Sequence, residues 1–137
     1  MITKETWYIA ELLMEIRVDE DERNVVHKNH IIIKAKSNEE AYEKANGFGK
    51  SGETSYHNPQ GKRVTIVFRG IVDLDEIFEP LEDGAEVLYH YCVDMQESEI
   101  LSLLPEKKDL RAFAPRKSAH GPDYASGEIA KLAKGVY

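Results

Sequence analysis

Thr6–Val18, TWYIAELLMEIRV, decides how the rest of the chain is read. Tyr8, Ala10, Leu12, Met14 and Ile16 fall on one face at period two. Glu11, Glu15 and Arg17 fall on the other, interrupted by Leu13. A helix competes, because Ile9, Leu12, Leu13 and Ile16 also fit i, i+3, i+4, i+7. The residues after Val18 favour the strand. The polar run Asp19-Glu20-Asp21-Glu22-Arg23-Asn24 reads as a hairpin tip. Val25–Lys36 then returns with the β-rich core His30-Ile31-Ile32-Ile33.

Outward from this hairpin, Ser37-Asn38-Glu39-Glu40 is a capping box. It opens a helix with Ala41, Ala45 and Phe48 on one stripe and an i,i+4 pair, Glu40 and Lys44. Gly47 and Gly49 offer its end. A short strand near Thr54–His57 meets Asn58-Pro59-Gln60-Gly61, a type I turn pattern. Lys62–Val72 returns, with Val64, Ile66 and Phe68 on one face. Asp73-Leu74-Asp75-Glu76 reads as a second capping box, opening a helical turn that Pro80 ends. Asp83-Gly84 marks a turn, and Ala85–Val93 reads as the last strand. Asp94-Met95-Gln96-Glu97 is a third capping box, leading into a helix over Ser98–Leu104 stopped by Pro105. Ser126 can cap a final helix over Glu128–Lys134. The expected fold is α+β: an antiparallel sheet of about five strands, helices mainly on one face, in the order ββαββ(α)βα plus a tail.

Several of these stretches resemble a known family. They are Trp7-Tyr8 on the first strand, Lys34-Ala35-Lys36-Ser37-Asn38-Glu39-Glu40-Ala41, Phe68-Arg69-Gly70 with Asp73-Leu74, and Leu81-Glu82-Asp83-Gly84-Ala85-Glu86-Val87. Residues 6–92 resemble an uncharacterised bacterial family, domain-of-unknown-function family 4288. The resemblance implies a small α+β domain and brings no catalytic residues with it.

Composition narrows the function classes. The 137 residues suit one domain, here residues 1–104, with an extension over 105–137. The net charge of −7 divides unevenly: residues 1–104 hold 11 Lys/Arg and 21 Asp/Glu, residues 105–137 hold 7 and 4. An acidic body and a basic tail of this kind can dock on one another, or on a neighbour. The overall acidity argues against nucleic acid as partner, because phosphate contacts need clustered cations. No apolar stretch approaches a membrane span, and MITKETWYIAELL does not read as a signal peptide. One cysteine excludes an intrachain disulfide framework, and a free thiol suits the cytoplasm.

No motif imposes a chemistry. Gly49-Lys50-Ser51 imitates the end of a phosphate loop, but position 44 is Lys and the triplet follows a helix. His27 and His30 stand three apart on a strand, so they face opposite ways and share no metal. Asp73, Asp75 and His90 form a polar set that suits acid/base or metal-assisted hydrolysis if they converge. The simpler reading makes Asp73 and Glu76 a helix cap. Cys92 reads as buried and inert. Trp7 and Tyr89 mark an interface if they lie on the face away from the helices. In the tail, Phe113 and Tyr124 are isolated anchors, and Phe113 stands between Lys107, Lys108, Arg111, Arg116 and Lys117.

The leading expectation is a non-enzymatic protein-interaction or ligand-binding module that self-associates as a homodimer, without metal or cofactor. Trp7, Tyr89, Phe113, Arg116 and Tyr124 are its candidate interface residues. One rival is a small hydrolase built on Asp73, Asp75 and His90. The other is an acidic inhibitor or immunity-type protein that covers a basic target.

Overall fold

The computed structural model describes residues 4–114 and 121–126. Strands β1 (Thr6–Val18) and β2 (Val25–Ala35) form a hairpin. Helix α1 (Asn38–Ser51) follows, then β3 (Thr54–His57) and β4 (Arg63–Ile77). These four strands make one antiparallel sheet in the order β2-β1-β4-β3. A short helix α2 (Glu97–Ser102) and a 3-10 turn (Lys107–Asp109) come later.

The period-two reading of Thr6–Val18 holds because both neighbours pair with it in register. Tyr8, Ala10, Leu12, Met14, Ile16 and Val18 are all buried on one face. Tyr8 stands opposite Ile33 of β2 and Glu76 of β4, and Ile16 opposite Val25 and Ile66. The other face carries Trp7, Glu11, Leu13, Glu15 and Arg17. At the hairpin tip Glu20 takes the left-handed conformation, φ 68°, while Asp21 receives the Arg23 guanidinium at 2.8 Å.

Helix α1 packs on the inner face through Ala41, Ala45 and Gly49. Small residues permit this approach: a Cβ on Gly49 would run into the Phe68 ring. The Ser37 hydroxyl accepts from the Glu40 amide at 3.1 Å, and Lys44 lies 3.4 Å from Glu40. The helix continues through Gly47 and Gly49 to a cap at Gly52, because burial against the sheet outweighs glycine's low helix propensity. Gly49-Lys50-Ser51 is therefore its last turn.

Two slips in the β1–β4 register, at Glu11/Leu12 and Leu13/Met14, leave Val72 and Arg69 as extra residues on β4. Such bulges bend a strand and increase its twist, and here they curl the sheet around α1. Gly70, at φ 147°, lies between them.

The inner face divides into two apolar clusters. Tyr8, Ala10, Leu12, Ile33 and Ala35 pack with Ala41 and Ala45 beneath α1. Ile16, Val18 and Val64 pack beyond the helix, with Val25, Tyr56, Ile66 and Tyr124 around them. A helix covers the first cluster and a piece of the C-terminal extension covers the second.

Three expectations need correction. The sheet has four strands, not five: Ala85–Val93 joins no ladder. Asp73-Leu74-Asp75-Glu76 opens no helix but continues β4, paired with Glu11, Ala10, Ile9 and Tyr8. Cross-strand pairing there overrides the local capping signal, and each Asp side chain accepts the next residue's amide at 2.9 Å instead. The third capping signal acts two residues late: Gln96 is the N-cap of α2, and its amide donates to Glu99 at 3.4 Å. The final helix expected over residues 128–134 lies outside the described residues.

Candidate protein-interaction surface

Charge and burial set residues 78–114 apart from the sheet. Phe78, Tyr89, Tyr91 and Val93 are 83%, 70%, 80% and 73% exposed, and Leu103 and Leu104 are similarly open. Helix α2 buries none of its residues. Between Arg69 and Lys107 there is no Lys or Arg, while eleven carboxylates occur. The segment is an acidic arm that leaves its apolar side chains in water. Exposed apolar side chains of this kind make the segment a candidate interaction surface.

The arm's first part bends back beside the end of β4. The Glu86 amide donates to Glu79 at 3.0 Å. Asp75, Glu76, Ile77, Phe78 and Glu79 on one side, and Glu86–Tyr91 on the other, line a cavity of about 500 Å³. Asp75 and His90 thus share a cavity. Asp73 does not line it: on the sheet it stands opposite Glu11, which faces His30 on the other side. Of the three residues named from sequence, the cavity brings together Asp75 and His90. No group of three or more His, Cys, Asp or Glu among the described residues is placed to hold a metal ion.

Cys92 is exposed in the arm, not buried, because the strand expected to enclose it is absent. His27 and His30 do face opposite ways. His27 points to the inner face, where Nε2 lies 3.3 Å from the Tyr124 hydroxyl and the rings meet edge to face. His30 lies on the outer face, 3.7 Å from Glu11.

The outer face has no helix over it among the described residues. Its centre is polar. Glu15 receives Asn24 at 2.8 Å and pairs with Arg17 at 3.0 Å and Arg69 at 3.4 Å, so its carboxyl titrates below the usual range, Asn24 contributing most. Its rim is apolar: Val26, Ile32 and Val67 are partly exposed. Trp7 is half-buried there, opposite Ile77, with Lys34 Nζ 5.6 Å from its ring. An open groove at the β2 edge is lined by Trp7, Ile32, Lys34, Lys44 and Phe48.

Of the other candidates, Phe113 is exposed, with Lys107 Nζ 5.1 Å above its ring. Arg116 lies outside the described residues. Tyr124 is an anchor to its own chain. Its carbonyl accepts the Tyr56 hydroxyl, and the Asp123 carbonyl accepts Asn58 Nδ2 at 3.0 Å. Buried Asn58 also accepts the Gln60 and Lys62 amides through Oδ1, at 3.0 and 2.8 Å. Among the described residues, hydrogen bonds and apolar contact hold this segment. Read from sequence, Asn58 has only a turn role, although a side chain able to donate and accept is the residue a turn can use to bind a passing strand.

The fold and its surface define a class: a small antiparallel-sheet domain, one face covered, carrying an acidic apolar arm. The chain belongs to the family described as Domain of unknown function (DUF4288), whose model matches residues 7–89. That span takes in the sheet from Trp7 onward, α1 and the first part of the arm. No curated protein and no solved structure matches. No helix among the described residues is long and apolar enough to cross a membrane.

Proposed function

We propose that this chain is a protein-interaction module that self-associates as a homodimer through the arm. The carrying observation is the set of large apolar side chains on residues 78–114 that the chain's own core leaves in water. Burying one such side chain contributes about 1.5–3 kcal/mol. Association that buries these side chains recovers that free energy. A hydrolase built on Asp73, Asp75 and His90 needs a convergence that Asp73, beside Glu11, does not support.

Light scattering at micromolar concentration tests the reading. A homodimer has twice the 15.6 kDa of one chain. A monomer across that range overturns the proposal. A variant with Tyr89, Tyr91 and Val93 changed to Ser is expected to be monomeric, with the thermal stability of its sheet retained.

A further inference from the structure

The dimer just proposed leaves open what the arm meets, and charge and topology answer that question. We infer that residues 85–93 of one copy add as a strand to the outer edge of β2 in a second copy. The inference rests on self-association and specifies its surface.

Among the described residues, three stretches of strand edge compete for the arm, and charge separates them. Among the described residues no strand pairs with the outer edge of β2, which is bonded to β1 alone, and Lys44 Nζ reaches only its Lys34 carbonyl, at 2.6 Å. It runs eleven residues, long enough for a nine-residue segment. Lys28, Lys34 and Lys36 accompany it, with no carboxylate from Val25 to Lys36. β3 covers β4 only over Arg63–Ile66, so β4 is also open beyond that point. There it carries Asp73, Asp75 and Glu76 and would repel an acidic strand. β3 itself is four residues long. Pairing β2 with β2 of a second copy would bring lysine rows together, which the same rule disfavours.

The arm is the complement. Val87, Tyr89, Tyr91 and Val93 alternate with Leu88, His90 and Cys92, the pattern of a strand apolar on both faces. Glu86 and Asp94 flank it, with no cation among residues 85–97. It makes no ladder in its own chain, where it bends beside residues 75–79. Backbone pairing on an exposed edge supplies affinity, and side chains at alternate positions supply fit. Partly exposed Val26 and Ile32 are the apolar contacts β2 offers. The exchange is reciprocal, each copy giving an arm and receiving one, as two-fold symmetry requires.

Charge reversal tests the assignment. Lys28→Glu with Lys34→Glu reverses the edge, and Glu86→Lys with Asp94→Lys reverses the arm. All four positions are exposed, and melting curves confirm that each variant is folded. Each double variant alone is expected to dimerise at least about tenfold more weakly than the original chain. An equimolar mixture restores both junctions and is expected to form a heterodimer within about threefold of the original affinity. A monomeric original chain overturns both self-association and this docking. A dimeric original chain whose variants dimerise equally well leaves self-association standing and overturns the docking. Weakened variants that fail to recover on mixing overturn it too.

Discussion

The curled sheet and the arm hold the same kinds of side chain and treat them oppositely. In the sheet Ile33 is 2% exposed and Val64 is fully enclosed, as are Ala41 and Ala45 of the helix packed on it. In the arm, Tyr91 is 80% exposed and Leu104 68%. The difference is one of neighbours. Every apolar position on the inner face has a register partner on the next strand, and α1 or the Tyr124 segment above it. The arm has β-branched and aromatic residues in alternation, but no strand beside it. A pattern supplies the capacity to form a strand, and an edge in the right place completes it.

If that contrast is real, deletions in the two regions differ in cost. Ile33→Ala should lower unfolding free energy by about 2–5 kcal/mol in urea titrations. Leu104→Ala, measured on dilute monomer, should stay within about 0.5 kcal/mol. Equal costs would break the comparison.

The covered half of the inner face beyond α1 can be probed next. Asn58→Ala removes the acceptor of two amides and the donor to Asp123, and should cost about 1–3 kcal/mol. The Tyr124 segment should also become accessible to protease.

Proteolysis sharpens the contrast from the other side. At low concentration the arm should be cut at least about tenfold faster than the sheet, since local opening there breaks few contacts. At concentrations that support the dimer it should be protected. An arm equally labile at both concentrations would separate it from association.

Gly49→Ala examines how closely α1 lies on Phe68. Overpacking of about 1–3 kcal/mol is offset by about 1 kcal/mol of helix propensity, for a net loss near 1 kcal/mol. A gain would show that the ring moves aside.

The smallest effect concerns the hairpin tip. Asp21 titrates at about 2, below its ordinary 3.8, chiefly through the side-chain hydrogen bond from Arg23 and then the Arg23 amide. A depressed carboxyl contributes stability above its unfolded value, and the contribution is lost as pH falls from about 4 through about 2. The pair is exposed, so solvent screening keeps the effect small. Asp21→Asn should flatten the stability curve over that acid window and leave it unchanged near neutrality.

Much of the sheet was legible because its signals agree. Thr6–Val18 alternates, a polar tip comes next, and His30-Ile31-Ile32-Ile33 returns. The Ser37 cap acts where it is written, because the chain leaves the sheet there. Asp73-Leu74-Asp75-Glu76 carries a similar box and stays strand, because β1 extends far enough to pair with it. Local chemistry was the same in kind, and the neighbour decided. Ala85–Val93 fails in the opposite sense, with strand composition and no partner in its own chain. Period two places Asp73 and Asp75 on one face and the register keeps them there, while only Asp75 lines the cavity with His90.

By itself the sequence determined the β1–β2 hairpin, the start of α1, the turn at Asn58–Gly61 and the uneven charge. Each depends on residues within a few positions of one another, where propensity, capping and periodicity act. Only the tertiary structure decided the strand order, the two bulges, the burial of Asn58 beneath the returning extension, and the exposure of the arm. These depend on which distant segments meet, and no local pattern encodes a meeting across 65 residues such as that of Asn58 with Asp123.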